Sequence, residues 1–323
     1  MTRVALTGGT GFIGANLARV LLHRGYEVHL LNRATHSTWR IDRIRRDVAL
    51  HVVDLADSSS VQDVFRTVRP ELLFHLAQAG GYSWQVNVSD MVTTNYLACI
   101  NLLHAAKEFD TRVVVNTGSS SEYGLRPHPS RETDCPEPDS DYAATKAAGT
   151  LYCQQWARRK GRLAPTLRLY SVYGPFEEPM RLLPRLVSFG LEGRLPPLVN
   201  PDTARDFVYV DDAVSAFLRA VEAPFVDHGA ILNICSGRQT TLREIVGATR
   251  KVLDVAAEPS WGSMELRAWD TNTWVGDPER AKRELGWTAI TGPDAGLRKF
   301  GDWLQSEPGM REHYRKATGL HSP

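Results

Sequence analysis

Val4-Ala5-Leu6-Thr7 runs directly into Gly8-Gly9-Thr10-Gly11-Phe12-Ile13-Gly14, and a helix-length amphipathic stretch from Ala15 to Arg24 follows. A strand, a glycine-rich turn and a helix in that order place the helix N-terminus against an anion, where unpaired backbone N–H groups and the helix dipole favour negative charge. Gly8 lets the chain turn. Gly11 lets backbone approach a diphosphate, and Gly14 lets the helix pack close to the strand. The stretch predicts a dinucleotide site made by Gly8, Gly11, Phe12, Ile13 and Gly14.

Working outward, short apolar runs alternate with helix-length stretches: Glu27 to Leu31, Leu50 to Val53, Leu72 to Leu76, Arg112 to Asn116 and, after a helix beginning near Tyr142, Thr166 to Tyr170. Continuous apolar strands, unlike alternating ones, fit a sheet covered on both faces. The expected fold is α/β, a Rossmann-type doubly wound parallel sheet with a smaller, interleaved C-terminal substrate-binding subdomain. Past Gly174-Pro175 the texture changes, with Pro179, Pro184, Pro196, Pro197 and Pro201, and five of the eight tryptophans lie in the last quarter. The dinucleotide domain is therefore expected over residues 1–174, with segments returning near 205–236. Residues 175–204 and 237–323 would form the second unit. Phe207 to Val210 and Ala230 to Ile234 are the strands expected to rejoin the sheet, Pro127 to Pro138 reads as a surface loop, and the tail after Trp303 as a weak helix or frayed end.

Composition excludes several classes. The 323 residues are 42% hydrophobic, carry 38 basic against 37 acidic side chains and show no block of like charge, so neither a nucleic acid nor an anionic membrane finds an electrostatic footprint. No apolar run approaches the roughly 20 residues of a membrane helix, and no signal-like segment precedes the first strand, so a cytoplasmic protein is expected. Cys99, Cys135, Cys153 and Cys235 are scattered without histidines at ligand spacing; reduced thiols and no metal are expected.

The end of the second strand bears on which dinucleotide binds. An acidic residue there would bond the ribose 2′-hydroxyl, whereas this chain has Asn32-Arg33, followed by Arg40 and Arg43. NADP(H) is favoured over NAD(H). Asp54 and Leu55, closing the third strand, suit the adenine edge, and Ala77 and Gln78 close the fourth near the cofactor. Tyr142 and Lys146 are four apart in helix-like sequence and share one face, so the ammonium would depress the tyrosine pKa and bond the nicotinamide ribose. Ser119, upstream at the end of a strand, would hold a substrate oxygen while Tyr142 moves a proton. Ser119, Tyr142 and Lys146 together suit alcohol–ketone redox chemistry.

With these motifs the chain resembles the extended short-chain dehydrogenase/reductase family of nucleotide-sugar epimerases, dehydratases and reductases. Further likeness lies in His75-Leu76-Ala77, Arg168 to Pro175, Arg205 to Asp212 and Leu285-Gly286-Trp287. The resemblance implies a nucleoside-diphosphate sugar between the two units, its diphosphate held by Arg205 and Arg267 and its ribose by Asp270, with contacts from Ser120 and Ser171. It also implies a homodimer through the Tyr142 helix and a helix from Met91 to Lys107, although Leu97, Ile100, Leu103 and His104 could equally be internal core. Departures from the pattern matter more. Aligned on Tyr123-Gly124, Ser120 and Ser121 stand where 4,6-dehydratases carry their acidic residues, which disfavours dehydration unless a one-residue shift brings Glu122 into play. Ser171 stands where many relatives have asparagine. Trp269 and Trp274 would stack on the base or pack in the core. The leading expectation is NADPH-dependent reduction of an NDP-4-keto-6-deoxyhexose. Gly118 to Gly124 and Asn233 to Gly237 resemble GDP-4-keto-6-deoxymannose reductases. The alternatives are an NAD-dependent nucleotide-sugar 4-epimerase and a non-catalytic dinucleotide-binding regulator.

Overall fold

Strand β1 (Arg3–Thr7) shows why the sheet is buried on both faces: Val4 and Leu6 pack into one apolar layer and Ala5 into the other. A computed structural model describes residues 1–82, 84–264 and 271–320. With β2 (Glu27–Asn32), β3 (Ala49–Val52), β4 (Leu72–His75), β5 (Val113–Ser119) and β6 (Thr166–Leu169), β1 forms a parallel sheet that the strand Ile231–Ile234 completes beyond β6. The order is β3-β2-β1-β4-β5-β6 and then Ile231–Ile234. Direction of winding reverses between β1 and β4, so a crevice opens there at the C-terminal strand ends, where such sheets bind ligands.

The helices follow from apolar periodicity. In α1 (Phe12–His23), Ala15, Leu17, Ala18 and Leu21 face the sheet, and in α2 (Ser58–Val68), Val61, Val64, Phe65 and Val68 do so on the opposite side. Each such Leu or Phe contributes about 1.5–3 kcal/mol on burial. Asp57 caps α2, accepting from Ser59 and Ser60 N–H, whereas the N-cap of α1, Gly11, has no side chain to offer. The first N–H groups of α1 are thus left directed at the crevice.

Two expectations need correction, and the tail takes one of its two expected forms. Of the two returning strands only Ile231–Ile234 rejoins the sheet; Phe207–Tyr209 pairs in parallel with Ser171–Tyr173 in a separate ribbon. The cause is a tight turn in which Val172 N–H donates to Tyr170 O at 2.8 Å, bending the chain off the sheet after Leu169. Of the two forms expected for the tail, the helix is the one found: Met310–Ala317 is helical, and the fully buried Tyr314 donates to Glu177 O at 2.6 Å among the rings of Trp39, Phe300 and Trp303. The helix expected from Met91 to Lys107 is three pieces, α3 (Val88–Val92), a π-helical turn Thr93–Leu97, and α4 (Ala98–Glu108). Leu103 is core, so it leaves the apolar face; Leu97 is exposed and His104 meets the Tyr152 hydroxyl at 3.1 Å.

Candidate active site

The glycine turn leaves no room for side chains. Gly8 has φ +69°, and a Cβ there would lie 2.6 Å from the Leu76 carbonyl carbon; at Gly14 it would lie 2.2 Å from Gly8 O. Phe12 and Ile13 open α1 above this turn. At the end of β2, beside the glycine turn, Asn32 is buried and its Nδ2 has no hydrogen-bond partner, an amide donor left for a ligand. These features fit a nicotinamide dinucleotide. They do not build the arginine clamp expected for a 2′-phosphate. Arg40 is buried, donating from Nε to Phe176 O at 2.7 Å and from Nη2 to Glu178 at 3.2 Å while lying over Trp39, and Arg43 pairs with Glu307 at 2.9 Å. Arg33 is exposed at the strand end, and Arg43 is exposed as well.

Beyond β3, Asp54 turns back on its own chain, accepting from Ala56 N–H at 2.9 Å, and Leu55 O accepts from Asn101 at 2.9 Å. Ala77 N–H donates to Thr7 Oγ1 at 3.2 Å, which in turn bonds His75 Nδ1 at 2.8 Å. Burial, with the nearby Lys146 charge, pushes the His75 pKa down to about 3, so this imidazole is neutral at pH 7.

Two elements bring Ser119, Tyr142 and Lys146 together. Strand β5 ends at Ser119, and helix α5 (Asp141–Lys160), capped by the Ser140 hydroxyl, carries Tyr142 and Lys146. The Tyr142 hydroxyl donates to Gln78 Oε1 at 2.9 Å. Lys146 Nζ donates to Thr117 O on β5. Burial raises the Tyr142 pKa to about 12, with the Ser119 hydroxyl pulling the other way. The expected depression by Lys146 is therefore absent in this arrangement. Its ammonium is directed to Thr117, and burial lowers its own pKa, with Glu122 opposing.

A turn of 3-10 helix, Ser120–Tyr123, follows Ser119. Glu122 folds beneath it, accepting from Ser119 N–H at 2.7 Å, Thr150 Oγ1 at 3.0 Å and Arg168 Nε at 2.7 Å, with both members of the ion pair fully buried. A one-residue shift of alignment therefore does not supply a carboxylate to the cleft, because this one is sealed in the core.

On the substrate side, Ser120 Oγ accepts from Trp274 Nε1 at 3.1 Å, and the Arg205 guanidinium lies 5.6 Å from the Trp274 ring centre. Trp274 thus stands beside the serine turn. Ser171 N–H donates to Asp206 O at 3.0 Å. Burial raises Asp206 to about 6 against donors from Ser236, Gly276 and Gly237, and this knot fixes the backbone next to Arg205. Arg267, Trp269 and Asp270 lie outside the described residues. The opposite wall was not read from sequence: Arg181 donates to Gly81 O at 3.5 Å and approaches Glu177 at 3.6 Å, and Tyr82 stacks on Trp84 at 4.8 Å. Nothing in the spacing of residues 80–84 signals this contact. Asn95, in the π-helical turn, was missed as well, and an asparagine inside a helix is the one clue it gives.

A model of the NAD dependent epimerase/dehydratase family matches residues 4–235. The chain belongs to that family. It is an NAD(P)-dependent enzyme of the extended short-chain dehydrogenase/reductase type. Among its relatives, a UDP-glucose 4-epimerase of Mycolicibacterium smegmatis is 30% identical over 94% of this chain and 99% of its own. A dTDP-glucose 4,6-dehydratase of Shigella flexneri is 24% identical over 98% and 96%. Among solved structures, a Thermus thermophilus UDP-glucose 4-epimerase complexed with NAD superposes with a TM-score of 0.82 at 30% identity, covering 95% of this chain and 100% of that one.

Proposed function

We propose that the protein is an NAD-dependent nucleotide-sugar 4-epimerase. The observation that carries this is the convergence of Ser119, Tyr142 and Lys146 on one cleft while Glu122, the acidic residue of the adjoining turn, is sealed against Arg168. Such a site oxidises and reduces a carbinol but has no carboxylate on that turn to eliminate water. The choice of reversible oxidation over net reduction is supported by the engagement of Arg40 and Arg43 elsewhere and by epimerases among the relatives.

A bound nicotinamide dinucleotide supplies the acceptor, and then the donor, of a hydride. The step needs Tyr142 as phenolate, its own proton released to solvent beforehand, and the positive charges of Lys146 and of an oxidised nicotinamide would oppose the upward push that burial gives its pKa. The phenolate then takes the proton of the sugar hydroxyl in the first half-reaction and returns it in the second, and Ser119 holds the sugar oxygen throughout. Lys146, on the same helical face, contributes its positive charge and a donor to the nicotinamide ribose. Arg205, with Arg267 and Asp270, anchors the nucleoside diphosphate, so that the sugar can present its other face without leaving. Ser120, whose Oγ already accepts from Trp274, keeps its own hydrogen to donate to the sugar. Gly8, Gly11, Phe12, Ile13, Gly14, Asn32, Asp54, Leu55, Ala77 and Gln78 border the cofactor.

The test is to denature the purified protein and identify the released dinucleotide, then incubate native protein with UDP-, dTDP- and GDP-hexoses and resolve the products. Released NAD, a C4 epimer and unchanged nicotinamide absorbance are expected. A second reading, reduction of an NDP-4-keto-6-deoxyhexose by NADPH, is favoured by Asn32-Arg33, where no acid meets the ribose. Stoichiometric loss of NADPH with a keto sugar would establish it in place of the epimerase. A second copy of the chain is read as covering the exposed Val92, Leu97 and Leu151 on α3, the π-helical turn and α5. Light scattering at micromolar concentration should give a dimer mass, and a monomer mass removes this reading.

A further inference from the structure

Gln78 occupies a place the catalytic triad does not explain. It follows β4, is exposed in the cleft, and its Oε1 accepts from the Tyr142 hydroxyl at 2.9 Å. Its backbone is held from behind. Asn95 clamps the next residue on both sides, accepting from Ala79 N–H and donating to Ala79 O, each at 2.9 Å. The same amide donates to Thr145 Oγ1 at 3.0 Å, three residues along α5 from Tyr142. A ring of contacts therefore closes: Tyr142 to Gln78, Ala79 to Asn95, Asn95 to Thr145, and α5 back to Tyr142. The π-helical turn at Thr93–Leu97 is what directs Asn95 into this ring. Gly81 leaves the amide room to turn, since a Cβ there would lie 2.8 Å from Gln78 Nε2.

We infer that Gln78 is the positioning residue of Tyr142, holding the hydroxyl in register and matching its partner to the tyrosine's protonation state. The inference rests on Tyr142 being the proton carrier of the reaction proposed above. An amide is suited to that task in a way a carboxylate or an ammonium is not. Its oxygen accepts from the phenol, and a half-turn about its terminal bond presents Nε2–H to the phenolate. A tyrosine that takes a proton in one half-reaction and gives it back in the next alternates between those two forms. The charged and titratable groups acting on Tyr142 are Glu122 under β5, Arg181 on the opposite wall and Tyr82 in the loop after β4, while Lys146, one turn along α5, is directed to Thr117. None is bonded to the hydroxyl as Gln78 is.

The experiment uses cofactor-loaded, full-length protein with isotopically labelled tyrosine rings, the Tyr142 resonance being assigned with Tyr142→Phe. Its ionisation midpoint is compared in wild type, Gln78→Glu and Gln78→Leu, alongside the pH dependence of kcat/KM. In Gln78→Glu the carboxylate accepts from the phenol but repels the phenolate, so midpoint and kinetic limb both move up by about one pH unit or more. Gln78→Leu, with neither donor nor acceptor, lowers kcat about tenfold with KM within about twofold. A merely structural residue would alter stability and KM and leave the midpoint in place. Midpoint and limb unmoved in both variants would overturn the inference. Because the resonance is read without substrate, failure of the epimerase assay leaves this measurement intact, and an unmoved midpoint in an enzyme that epimerises overturns the role of Gln78 alone.

Discussion

Tyr142→Phe lowers turnover about a hundredfold to ten-thousandfold, the usual loss when a positioned proton carrier is removed. The substitution deletes one oxygen, the atom that donates to Gln78 at 2.9 Å, and keeps the ring that fills the same space on α5. In the proposed function Arg205, Arg267 and Asp270 hold the sugar nucleotide and the glycine turn holds the dinucleotide, so KM and bound NAD are expected to stay near wild type. A fall in kcat with KM unchanged marks an interaction made in the transition state. The check is steady-state kinetics together with dinucleotide released on denaturation. Turnover within about threefold of wild type would remove Tyr142 from the chemistry and return the non-catalytic regulator as the better reading.

The second large effect is on stability. Glu122→Ala leaves the Arg168 guanidinium in the core without its carboxylate, and Arg168 is 1% exposed with Nη1 already lacking a hydrogen-bond partner. Removing one member of such a pair costs about 3–5 kcal/mol, a large part of the roughly 5–15 kcal/mol that holds a domain folded. Urea denaturation should show it as a lower midpoint. Replacing both residues by leucine should cost less than the sum of the two single changes, since no buried charge is then left alone. Glu122→Gln separates this role from acid–base catalysis. The amide keeps one acceptor oxygen for Ser119 N–H and Thr150, so the variant should keep its turnover per folded molecule. A loss of turnover with unchanged stability would instead put Glu122 in the cleft chemistry and reopen dehydration.

Several features of the site can be read from the chain alone because they are local. The glycines of the first turn, the four-residue interval between Tyr142 and Lys146, and the apolar strands each depend on a period or a φ requirement that neighbouring residues impose on one another. Others cannot be read this way. Arg33, Arg40 and Arg43 look alike in sequence and together suggested a 2′-phosphate. In the fold Arg40 reaches the carbonyl of Phe176, 136 residues away, and Arg43 reaches Glu307. Glu122 is likewise two residues in one: aligned one way it is a dehydratase carboxylate, and only its burial against Arg168, 46 residues on, fixes where it points.

By itself the sequence determined the doubly wound sheet, the dinucleotide turn and the serine–tyrosine–lysine set, since hydrophobic period and glycine placement act over a few residues whatever surrounds them. Tertiary structure alone decided that Phe207–Tyr209 leaves the sheet, that the tail docks through Tyr314, and that Gln78 meets Tyr142, 64 residues away. A hydrogen bond is satisfied by any donor and acceptor of suitable type, so residue identity does not name the partner. Only the packing of α5 against the end of β4 does.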